Sequence, residues 1–129
     1  MLTPTRIYIA SLLPLVQAGK IKALAHITGG GITENLPRVL PAQLSARVDL
    51  NQLRLPNVFA WMMQAGAIPA HEMLTTFNCG VGMVLVVESA QAEAIAASLT
   101  RAGETVMTLG TLVPAGAQRV LYEGALCAA

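Results

Sequence analysis

Apolar positions along the chain change period several times, and each change marks an element. Ile7, Ile9, Leu12, Leu13, Leu15 and Val16 recur at mostly helical spacing and stop at Gly19, which predicts a first helix. Pro14 falls inside it, so a kink or break is expected near Leu13. Lys20 to Thr28 predicts a strand running into three consecutive glycines. Ile32 to Leu40 predicts a short helix, disturbed by Pro37 and stopped by Pro41. Leu44, Ala46, Val48 and Leu50 alternate with Ser45, Arg47 and Asp49, as a half-exposed strand does. Asn57 to Gln64 predicts a helix capped by Asn57 and closed by Gly66, and Ala70 to Thr76 a second short helical turn. Val81 to Val87 is apolar on both faces, which predicts a central strand. Ser89 is expected to cap a helix over Ala90 to Ala102 that ends at Gly103. Glu104 to Val113 predicts a strand with Gly110 as a bulge. Pro114-Ala115-Gly116 then turns the chain into a last strand, Gln118 to Tyr122, giving a terminal hairpin. Interleaved helices and strands predict a layered α+β or α/β domain with a mixed sheet.

Composition narrows the function classes. With 129 residues, 54% of them hydrophobic, the chain can bury one real core and is far too apolar for disorder. Charged residues make up only 12%, against about a quarter in ordinary soluble domains, which predicts either that much of the surface is covered by a partner or that the chain is part of something larger. A net charge of +1 with 4% aromatics and no basic run gives no case for nucleic acid. No apolar run approaches the roughly 20 residues a membrane helix needs, and the N-terminus lacks a signal-peptide pattern. Cys79 and Cys127 show no metal-finger or CxxC spacing, so a reducing cytoplasm is the expected location.

The densest chemistry lies in Ala25 to Arg38, AHITGGGITENLPR. A strand, a run of glycines and a helix start can aim several N–H groups at one anion, and Arg38 can add a forked cation. The alternative is a glycine-rich turn without a ligand. His26 reads either as a satisfied imidazole or as a donor or proton carrier. Glu34 reads as a capping carboxylate or a ligand group, and Asn35 as a donor to an amide or hydroxyl. Cys79 reads as a small buried hydrophobe rather than a nucleophile, with Asn78 and Gly80 shaping the loop around it. His71-Glu72 lacks the second histidine of a zinc helix, so no metal ligand is assigned. Met62, Met63, Met73 and Trp61 read as core or interface filling.

Four separated stretches, TPTRIY, AHITGGGITENLPRVLP, VFAWMMQAG and HEMLTTFNCGVGMVLVV, occur in an order and at a spacing that resemble the C-terminal domain of aminoimidazole ribonucleotide synthetases (phosphoribosylformylglycinamidine cyclo-ligases). The likeness runs from about Thr3 to Glu123. Selenophosphate synthetases and hydrogenase-maturation relatives carry similar domains. The resemblance implies an α+β, three-layer α/β/α domain with a mixed β-sheet, a single domain over residues 1–129. It implies a place in purine biosynthesis, where the family closes formylglycinamidine ribonucleotide to aminoimidazole ribonucleotide with ATP and Mg²⁺. It further implies that ATP and Mg²⁺ are bound mainly by an N-terminal domain outside this sequence, that the whole enzyme is a homodimer, and that this chain alone is inactive. With the ribonucleotide substrate that the resemblance implies, the residues read above are expected to act as His26 for catalysis, and Thr28, Gly29, Gly30, Gly31, Glu34, Asn35, Arg38 and Asn78 for its phosphate. A stand-alone phosphate-binding or regulatory module, and a purely structural domain, are the alternatives.

Overall fold

A computed structural model describes residues 3–128. The chain folds as α1 (Ile9–Gln17), β1 (Ala23–His26), α2 (Gly31–Asn35), β2 (Leu44–Asp49), β3 (Arg54–Leu55), α3 (Asn57–Ala65), α4 (Ala70–Thr76), β4 (Met83–Val86), α5 (Ala92–Arg101), β5 (Gly110–Pro114), β6 (Val120–Glu123) and β7 (Cys127–Ala128). Three 3₁₀ turns, Leu36–Val39, Leu50–Gln52 and Ser89–Gln91, join some of these. The result is an α+β fold containing a mixed sheet.

α1 continues through Pro14 without the break that its sequence allows. Gly19, with a positive φ of 69°, ends it as its position predicts, and the Lys20 N–H reaches the Leu15 carbonyl at 3.0 Å. α2 is only five residues long, because Pro37 redirects the chain into the 3₁₀ turn Leu36–Val39. α3 begins at Asn57, but the capping position is Pro56, whose carbonyl accepts from the N–H groups of Phe59 and Ala60. Ser89 likewise is no helix cap: it opens a 3₁₀ turn, and Gln91 precedes α5.

The strands divide among three small sheets, with orders β1–β4, β5–β2–β6 and β3–β7. β4 is therefore not central; among the described residues its one ladder partner is β1, antiparallel. Its two apolar faces have another cause. Val84 and Val86 pack on the main core, while Met83 and Leu85 pack on a second cluster built from Leu12, Leu15, Ile95 and Leu99. The terminal hairpin is also corrected: β5 and β6 flank β2 on opposite sides, β5 antiparallel and β6 parallel to it. The strand expected from Glu104 starts only at Gly110, whose missing Cβ lets its backbone lie against the Arg47 carbonyl.

The main core gathers Ile27, Ile32, Leu36, Val48, Leu53, Leu55, Met73 and Cys79 beneath the glycine loop. β2 buries Ala46 and Val48 as its alternation predicts. It also buries Ser45, expected on the exposed face, whose hydroxyl donates to the Gln118 carbonyl at 2.8 Å. Trp61, read as filling, is 62% exposed on α3.

Candidate functional site

β1 delivers the site through its alternation. Ala25 and Ile27 are buried, while Leu24, His26 and Thr28 are exposed. The Ile27 N–H bonds the Gly82 carbonyl at 2.9 Å, pinning the strand end just before the glycines. Gly30 and Gly31 have φ of 96° and 59°, as a glycine run in a tight loop should. Gly29 sits in open space with no positive φ. Gly31 has a packing reason for its identity: a Cβ there would run into the carbonyl oxygens of Leu74 and Phe77 at the end of α4.

The loop is held from within. The Gly31 N–H donates to the Thr28 carbonyl at 3.0 Å, closing a turn. Asn35 is buried, and its Nδ2 donates to the carbonyls of Thr28, Gly29 and Gly31 at 3.3, 3.1 and 2.8 Å. The amide expected to meet a ligand is committed to the loop. Asn78 does the same in its own turn, accepting from the Gly80 N–H at 2.9 Å through Oδ1. Glu34 is exposed and lies over Gly30, where a Cβ would touch its carboxylate. That negative charge disfavours an anion on this side of the loop. Arg38 is exposed in the 3₁₀ turn and makes no ion pair among the described residues.

His26 faces a different neighbourhood. It lines a groove of about 450 Å³ between α1 and β1, with Arg6, Tyr8, Leu13, Val16 and Leu24 among its walls. The Tyr8 ring stands edge-on to the imidazole, centroids 6.5 Å apart. Its hydroxyl occupies the space a Cβ on Gly82 would need, so Gly82 is what lets Tyr8 lie flat on the strand. The Arg6 guanidinium donates to Glu104 through Nε at 2.7 Å and to the Gly103 carbonyl at 3.2 Å. Two of the sequence stretches, TPTRIY and AHITGGG, thus converge on one face.

Several supports escape sequence reasoning. Thr33 Oγ1 bonds the Leu74 carbonyl at 3.1 Å and the Tyr122 hydroxyl at 2.7 Å, tying α2 to α4 and β6. Burial pushes the Tyr122 hydroxyl above its ordinary pKa, although Thr33 pulls it back. Arg119 donates through Nη2 to the carbonyls of Leu40 and Pro41 at 3.2 Å each, fixing the turn behind Arg38. These pairs span nearly ninety residues or fewer with no local motif, so no spacing signals them. Cys79 is buried with a positive φ of 53°, and burial raises its thiol to about 11. It behaves as the small hydrophobe its sequence context predicts.

Among the described residues, no three His, Cys, Asp or Glu side chains gather as a metal site requires. The acidic residues present do not fit a Mg²⁺–nucleotide clamp, which calls for converging carboxylates. Among the described residues, no helix is long and apolar enough to cross a membrane. Residues 1–123 match the family model described as AIR synthase related protein, C-terminal domain.

Proposed function

Because the chain belongs to the family of AIR synthase related C-terminal domains, we propose that it is the substrate-side domain of an ATP-dependent cyclo-ligase of purine biosynthesis. The match over residues 1–123 carries the reading. In it, the domain holds a ribonucleotide phosphate at the glycine loop, where Thr28, Gly29 and Arg38 are exposed, while His26 stands on the neighbouring α1–β1 face. Asn35, Asn78 and Arg119 position that edge without touching the ligand. A partner N-terminal domain supplies ATP and Mg²⁺, since the carboxylates here are scattered. The α1–β1 groove, apolar and rimmed by His26 and Arg6, is the face on which that partner sits.

The test mixes the chain, ATP, Mg²⁺ and formylglycinamidine ribonucleotide, with and without a family N-terminal domain added in trans, and follows ADP and aminoimidazole ribonucleotide. No turnover is expected from the chain alone, because phosphoryl transfer needs the triphosphate clamp. Turnover by the chain alone would overturn the reading. Ribose 5-phosphate should bind weakly to the isolated chain, and Arg38→Ala should weaken it roughly tenfold, the worth of one charge-assisted hydrogen bond. Saturable binding with no turnover in either mixture favours a stand-alone binding module instead.

A further inference from the structure

We propose that Tyr122 is a positioning residue for the glycine loop, acting from β6 through the Thr33 hydroxyl; its part in binding rests on the reading above that the loop holds a phosphate. The direction of the two hydrogen bonds follows from counting protons. The Leu74 carbonyl only accepts, so the single hydroxyl proton of Thr33 is committed to it at 3.1 Å. The Tyr122 hydroxyl, 2.7 Å from the same Oγ1, is therefore the donor. The relay runs one way, from Tyr122 to Thr33 to Leu74. Burial opposes loss of the Tyr122 proton, which preserves that direction at neutral pH.

The relay fixes α2, and with it the loop. α2 has five residues and no side-chain cap, too few to hold their own position. Asn35 ties α2 only to the carbonyls of the loop itself and of Gly31, so those bonds move with the loop. Among the described residues, Thr33 is the one α2 side chain that hydrogen-bonds another secondary-structure element. Its acceptor Leu74 lies in the last turn of α4, where carbonyls lack intrahelical donors. The neighbouring Met73 carbonyl is already taken by the Phe77 N–H at 2.9 Å and the Cys79 thiol at 3.4 Å. The Gly31 backbone abuts the same Leu74 oxygen, which a Cβ would strike. One carbonyl of α4 thus meets both Thr33 and the start of α2. It sets where the Gly29 and Gly30 peptides lie, and their N–H groups have no protein acceptor among the described residues. The Tyr122 hydroxyl also holds the Thr33 side chain outward. A helical threonine otherwise turns its hydroxyl onto the carbonyl four residues back, which here is Gly29, an acceptor that Asn35 already uses.

Amide resonances and ribose 5-phosphate titrations on the intact chain decide the matter, with Tyr122→Phe, Thr33→Val and the conservative Thr33→Ser. In the free protein, Tyr122→Phe and Thr33→Val should both move the Gly29 and Gly30 resonances, and Thr33→Ser should leave them near the parent's. The first two should weaken ribose 5-phosphate about threefold to tenfold, the worth of one hydrogen bond, and Thr33→Ser should not. Tyr122→Phe added to Thr33→Val should cost no further affinity, because Tyr122 acts through Thr33. Tyr122→Phe keeps the buried ring and Thr33→Val the side-chain shape, so either folded variant suffices for the comparison. A lowered unfolding midpoint with resonances or affinity unchanged overturns the proposal, as does a second loss of affinity in the double variant. A parent chain that binds no ribose 5-phosphate refutes the phosphate reading instead, and the loop resonances still decide the positioning.

Discussion

Glu104 is the residue that joins the end of α5 to α1 and the segment leading into it. Its carboxyl lies below its ordinary value of 4.5, chiefly because the Ser11 hydroxyl donates to it, with Arg6 adding to the effect. A carboxyl depressed by folding stabilises the folded state above its unfolded pKa, and that contribution is lost as pH falls through the depressed value. Arg6 is half exposed, which screens its share. Glu104→Gln should therefore cost roughly 1 kcal/mol at pH 7, the worth of one or two partly screened hydrogen bonds. The gap between variant and parent should be constant from neutral pH down to about 5 and shrink below 4.5, where the parent loses the same interaction. Urea midpoints measured from pH 7 to pH 3 check this, and a gap that widens toward acid contradicts it. None of this is visible in the sequence, because Ser11 and Glu104 stand 93 residues apart. Local chemistry was more legible. Cys79 between Asn78 and Gly80 reads as a loop hydrophobe, and burial in the structure keeps it one. Asn35 was legible as a polar residue at a loop, but its target was not, since only the folded loop shows three carbonyls converging on one amide.

At the scale of elements, local signals succeeded where backbone geometry is set within a few residues. Gly19, Gly66 and Gly103 end helices, and two of the three loop glycines take the left-handed conformation. Sequence failed where pairing partners lie far away: β4 looked central because it is apolar on both faces, yet two separate cores explain that pattern. Nothing local could show that β5 and β6 lie on opposite sides of β2. The loop glycines offer a sharp test of what their element needs. Gly31→Ala forces a left-handed alanine, costing about 1–2 kcal/mol, and drives a methyl into the carbonyls of Leu74 and Phe77, adding about 1–3 kcal/mol of overpacking. Gly29→Ala meets nothing and needs no positive φ, so it should be neutral or stabilise by up to about 1 kcal/mol through the unfolded chain. Denaturant melts of the two variants compare them directly. Equal effects would mean that the close approach of α2 to α4 is not what selects glycine.

Over the whole molecule, the low charge of the sequence finds a structural counterpart on one face. Ile9, Leu13, Val16 and Leu24 are 66, 46, 43 and 37% exposed and line the same α1–β1 groove. Their inner neighbours Leu12 and Leu15 already anchor α1 to α5, so the outer row contributes little to the fold of the isolated chain. Monomers rarely leave contiguous apolar patches beyond about 300–600 Å² open to water, and each square ångström covered returns about 25 cal/mol. In the proposed reading, the N-terminal domain covers this face. Without it, the chain should associate with itself. Sedimentation equilibrium of the chain should show a mass that rises with concentration. The double substitution Ile9→Glu, Val16→Lys places charge on the two ends of the row, seven residues apart on one helix face. It should give a monomer with an unfolding midpoint close to the parent's, because both side chains are more than a third exposed. The same variant should fail to complement an N-terminal domain in the turnover assay while still binding ribose 5-phosphate. A parent chain that stays monomeric at high concentration, or a charged variant that complements fully, would place the partner on another face.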